Sequence, residues 1–67
     1  MRVADVVALT VDKPSAKLAR GNVGTIVDVL SEDTFEVEFV DTEGKTYGVE
    51  RLKSDELMPL IHKRLSA

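Results

Sequence analysis

Glu36 and Glu38 stand two residues apart in Thr34-Phe35-Glu36-Val37-Glu38-Phe39-Val40, and paired carboxylates are what acid–base work or a cation site asks for. On an extended strand that spacing puts both on one face. A flat, wet face gives them no pocket, so the pair reads as a solvated edge of the sheet. The rest of the chemical inventory is as thin. His62 is the only histidine and lies in a short C-terminal tail beside Lys63 and Arg64, where it reads as solvated. Zinc needs a cluster of cysteine or histidine ligands, and the chain has no cysteine. Asp41 and Glu43 belong to a turn without the spacing of a calcium loop. Gly21 and Gly24 could suggest a phosphate cradle, but neither G-x-G-x-x-G nor a Walker pattern surrounds them and no helix follows. The expectation is no catalytic residue, no cofactor and no metal, and so no enzyme.

Binding is then the remaining class, and the charge layout says where to look. The net charge is −3 over 67 residues, which disfavours a nucleic-acid backbone as main partner. Residues 28–43 carry Asp28, Glu32, Asp33, Glu36, Glu38, Asp41 and Glu43 with no base among them. Basic segments flank that stretch: Lys13, Lys17 and Arg20 before it, Lys45, Arg51 and Lys53 after it. The partner-binding candidates are therefore an acidic set, Asp28, Glu36, Glu38 and Asp41, and a basic set, Lys13, Lys17 and Arg20. An acidic face suits a basic protein partner. RNA readers stack bases on aromatics in a basic groove; here Phe35, Phe39 and Tyr47 are needed in the core.

The elements that must position these residues are short strands. Val23–Leu30 and Thr34–Asp41 flank Ser31-Glu32-Asp33 as an antiparallel hairpin, with Phe35, Val37 and Phe39 inward. Asp5–Leu9 predicts a first strand with Val7 and Leu9 inward. A connection from Thr10 to Asn22 follows, irregular at Pro14, pinned by Leu18 and long enough to be functional. Asp41-Thr42-Glu43-Gly44 predicts a turn. Residues 45–50 predict a fourth strand, with Tyr47 and Val49 inward and Gly48 permitting a bend. Ser54-Asp55-Glu56 predicts a helical turn with Ser54 as its N-cap, and Leu57–Leu60 a last strand with Pro59 at an edge. The result is an all-β fold, a small five-stranded SH3-like barrel over residues 1–60, and a tail over 61–67. Its expected core is Val7, Leu9, Ile26, Val29, Phe35, Val37, Phe39, Tyr47, Val49 and Leu57. No stretch is apolar enough to span a membrane and no signal segment opens the chain. Together with the lack of cysteine, this points to the cytoplasm and to no membrane partner.

The motifs Asp5-Val6-Val7-Ala8-Leu9, Gly21-Asn22-Val23-Gly24-Thr25-Ile26-Val27 and Phe35-Glu36-Val37-Glu38-Phe39-Val40-Asp41, closed by Leu52 to Leu60, resemble a family of small bacterial proteins of unknown function. Its members read D-V-V-A-L, G-x-x-G-T-[VI]-V, Y/F-E-V-E-F and L-x-P-L, and the resemblance covers residues 4–60, leaving the tail unexplained. Gly24-Thr25-Ile26-Val27 alone is common to many SH3-like barrels. The resemblance implies an SH3-like fold without catalytic residues and, from the toxin-like reading frames beside such genes, an antitoxin or immunity role. The first expectation is thus a non-enzymatic protein-binding module that neutralises a toxin enzyme. Alternatives are an accessory subunit docking on a larger enzyme or electron-transfer complex, and a weak RNA-binding barrel. Oligomeric state is left open.

Overall fold

A computed structural model describes residues 1–41 and 43–60, the side chain of Tyr47 excepted. Alternation of apolar and polar residues sets five strands: β1 (Val6–Leu9), β2 (Val23–Val29), β3 (Thr34–Val40), β4 (Thr46–Lys53) and β5 (Leu57–Pro59). Single 3-10 turns stand at Pro14–Ala16 and at Ser54–Glu56, the second leading into β5. The strands form one antiparallel sheet in the order β4-β3-β2-β1-β5. Inward residues of β4 and β5 share one cluster with those of β1, β2 and β3, so the sheet curls around a single core. This is the all-β, barrel-like architecture expected, but the sheet is not closed: among the described residues β4 and β5 remain its edges.

The core is Val7, Leu9, Leu18, Ile26, Phe35, Val37, Phe39, Leu52 and Leu57. Phe35, Val37 and Phe39 alternate with the half-buried Glu36 and Glu38, as period two requires. Leu18 is buried and pins the long connection. That connection is less irregular than Pro14 implies: a 3-10 turn and an isolated Lys13–Leu18 bridge close it on itself. Lys13 N–H and Leu18 N–H exchange bonds with the opposite carbonyls at 2.8 and 3.0 Å.

Three expected core or cap positions are corrected. Val49 is 46% exposed, because Gly48, Glu50 and Leu52 are the β4 residues opposite Phe39, Val37 and Phe35. The strand runs on to Lys53, and a register shift between Phe39 and Val40 leaves Tyr47 as the additional residue, so the parity is one off from the expectation. Tyr47 as a core side chain lies outside the described residues. Val29 shares the face of Phe35 after a bulge between Ile26 and Asp28, yet at the hairpin end it stays 41% exposed. The turn at 54–56 is capped from Lys53, whose N–H bonds Glu56 Oε1 at 3.0 Å, not from Ser54.

Gly24 is buried between β1 and β3, opposite Val7 and Phe39. A Cβ there would lie 2.7 Å from Val37 Cγ1 and 2.8 Å from the Glu38 carbonyl oxygen. Gly48 stands in β4 at φ +150°, next to the register shift.

Phe39→Ala is expected to cost about 3–5 kcal/mol in urea unfolding, and Phe35→Ala a similar amount, enough to unfold so small a domain. Gly24→Ala should cost about 1–3 kcal/mol by overpacking, whereas Val49→Ala should change stability by less than about 0.5 kcal/mol. A large loss at Val49 would restore it to the core.

Candidate docking faces

The ladder registers define the outer face of β2, β3 and β4. Asp28 is the direct partner of Glu36, and Glu36 in turn that of Arg51. Glu38 lies between Thr25 on β2 and Val49 on β4. Directly opposed residues share a face, so Asp28, Glu36 and Glu38 form one continuous acidic patch. Beside it, on the same face by alternation, lie Val23 and Val40, 46% and 45% exposed, with Val49 equally open. Apolar side chains next to a charged margin are the composition of a protein-docking surface. Asp41 is close by but engaged elsewhere: its Oδ1 accepts the Glu43 and Lys45 N–H groups at 2.8 and 2.9 Å, and so it builds the turn after β3.

The basic set does not join this patch. Ala16 and Leu18 pack on the inner side of the sheet, where they line a small crevice with Phe39, Gly48 and Glu50. The long connection therefore covers the face opposite Glu36 and Glu38. Lys13 forms an ion pair with Glu56, while Lys17 and Arg20 are exposed. Lys17 sits at φ +59°, closing the Pro14–Ala16 turn through its N–H to the Pro14 carbonyl at 3.0 Å. That left-handed conformation disfavours any side chain by roughly 1 kcal/mol relative to glycine. Arg20 N–H is held by Asp12 Oδ1 at 2.9 Å. The seven candidate residues thus fall on two faces, and one flat partner cannot touch both.

A third feature lies where β4 meets the Ser54–Glu56 turn. A cleft of about 580 Å³ opens there between Val11, Lys13, Arg51, Leu52, Lys53 and Glu56. It was not legible beforehand, because it joins residues about forty positions apart. The Lys13 ammonium, and next the Lys53 N–H, hold the Glu56 carboxyl below the usual carboxylate range. In the hairpin link the hydroxyl of Ser31, then that of Thr34, does the same for Asp33. Phe35 and Phe39 are 3% and 1% exposed, so neither can stack on a base. Among the described residues no three His, Cys, Asp or Glu side chains converge as a metal site, and no helix is long and apolar enough to cross a membrane. His62 lies outside the described residues.

A carboxylate with a depressed folded pKa stabilises the fold above its unfolded pKa, and that contribution fades as pH falls through the folded value. Glu56→Gln should therefore lower stability at neutral pH and flatten the loss below the carboxylate range. Lys13→Met should move the Glu56 titration, followed by NMR, back up. An unmoved titration would remove the ion pair from the account.

No curated protein and no solved structure matches the chain. A family model does, over residues 3–59, a span that takes in all five strands, both 3-10 turns and the acidic face. By that match the chain belongs to the family described as a domain of unknown function, DUF4926.

Proposed function

We propose that the chain is a non-enzymatic protein-binding module that docks a basic partner through the outer face of β2, β3 and β4. The observation that carries this reading is the adjacency of Asp28, Glu36 and Glu38 to the open side chains of Val23, Val40 and Val49. Carboxylates steer a cationic surface inward and set orientation, and the valines supply the area that loses water. A basic cleft of the kind that grips nucleic acid is the complementary shape of charge. A bacterial antitoxin or immunity protein in the cytoplasm, masking such a cleft on a toxin enzyme, is the specific form proposed.

Lys17 and Arg20 favour a second reading, an accessory subunit that contacts a larger assembly through the long connection. Lys17 carries a side chain at a left-handed position where glycine would be less strained, and such strained positions cluster at binding sites.

The test captures partners from a lysate of the source organism with the natural chain, with Glu36→Gln/Glu38→Gln, and with Lys17→Gly. Binding of the recovered partner is then timed at two salt concentrations. The proposal expects a basic protein at one-to-one ratio, with association about tenfold slower and less salt-sensitive for the Glu36/Glu38 variant. Unchanged association in that variant rules out the acidic face. Loss in Lys17→Gly alone moves the contact to the connection.

A further inference from the structure

The two edges of the open sheet are unequal. β5 has three residues and ends in Pro59, whereas β4 has eight. Ser54 N–H donates to the Asp33 carbonyl at 2.8 Å, which fixes the phase of the β3–β4 ladder. Lys53, one residue earlier, points its N–H the other way, to Glu56 Oε1. By alternation Arg51 and Val49 also turn their N–H and C=O groups away from β3. Among the described residues nothing bonds those four groups.

The side chains along this edge are as informative as its backbone. Arg51 and Lys53 project on the outer face at alternate positions, and Leu52, buried between them on the inner side, is part of the lining of the 580 Å³ cleft together with Val11, Lys13, Thr34, Asp55 and Glu56. On its other flank β4 already pairs with Glu36-Val37-Glu38, whose Glu36 stands opposite Arg51. Along Arg51, Leu52 and Lys53 the β3 neighbours are Glu36, Phe35 and Thr34, an acid against Arg51 and an apolar residue against Leu52; the cation of Lys53 on the open flank leaves room for a second acid.

We propose that the β4 edge is a strand-addition site for an extended segment of another protein that carries an acid–apolar–acid pattern. Its backbone extends the sheet through Val49 and Arg51, its two carboxylates face Arg51 and Lys53, and its apolar side chain enters the cleft beside Leu52 and Val11. Glu56, by holding the Lys53 N–H, ends the ladder and sets the register. A second copy of the chain is disfavoured in the antiparallel β4–β4 registers centred on Arg51 or Leu52, which set cation against cation. The site adjoins the acidic face and shares Val49 with it, but it is made by the backbone of β4, so strand addition and docking on the acidic face are read apart by where the amides shift.

The experiment titrates the isotope-labelled chain with a nine-residue peptide centred on Glu-Val-Glu. The expected result is shifted, exchange-protected amides at Val49 and Arg51. Affinity should fall about tenfold or more when the peptide amides that would pair with β4 are N-methylated. A Lys-Val-Lys peptide should not bind the natural chain but should bind Arg51→Glu/Lys53→Glu, whose two substitutions lie at exposed positions. Equal affinity of the N-methylated peptide, or shifts confined to β2 and β3, would overturn the proposal. So would β4 protection that grows with protein concentration in the absence of peptide, since that gives the edge to a second copy.

Discussion

Three strands meet at a residue with no side chain. Gly24 lies opposite Val7 on β1 and Phe39 on β3, and the space its missing Cβ leaves is already taken by Val37, Phe39 and the Glu38 carbonyl. Phe39 and Val37 can lie deep in the core only because β2 comes this close. The alternation that buries those two residues also turns Glu36 and Glu38 outward. One close backbone approach therefore sets both the centre of the core and the position of the acidic face.

The hairpin, the inward phase of β1 and β3, the helical turn before β5 and the anchoring role of Leu18 were all legible in the residue pattern. Each depends on strict alternation or on one large apolar residue in a polar stretch. Where the pattern misled in β4, a single additional residue was the cause. In β4 the alternation Tyr47, Val49 looks apolar and inward, but the register shift beside Gly48 reverses parity, so Leu52 is buried and Val49 is not. A bulge leaves no mark on hydrophobicity; it is recorded only in which strand pairs with which. The same limit applied to the candidate site. Asp28, Glu36 and Glu38 could be grouped from one hairpin, whereas the separation of that face from Lys17 and Arg20 depends on which side of the sheet the long connection crosses. Asp41 looked like its neighbours in composition and proved to be turn scaffolding.

Glu56 links features that lie far apart along the chain. Its carboxylate receives Lys13 from the long connection and the Lys53 N–H from the end of β4, while its own carbonyl accepts the Thr10 N–H at 2.9 Å. One half-buried residue thereby fastens connection, sheet edge and 3-10 turn to each other. In a domain with no disulfide, such multi-point polar ties hold the loops that burial alone leaves loose.

The β1–β5 pairing has a mechanical consequence. Leu60 N–H bonds the Val6 carbonyl at 2.9 Å, and the ladder runs on through Val7–Pro59, Ala8–Met58 and Leu9–Leu57. The pair nearest both ends of the domain is thus the first rung of an antiparallel ladder. Tension applied at residues 6 and 60 loads these hydrogen bonds one after another instead of all together, so the sheet peels from β5 as a zipper does. A domain stitched in this way holds its shape against thermal motion through its core, yet yields to a pull along the chain at low force.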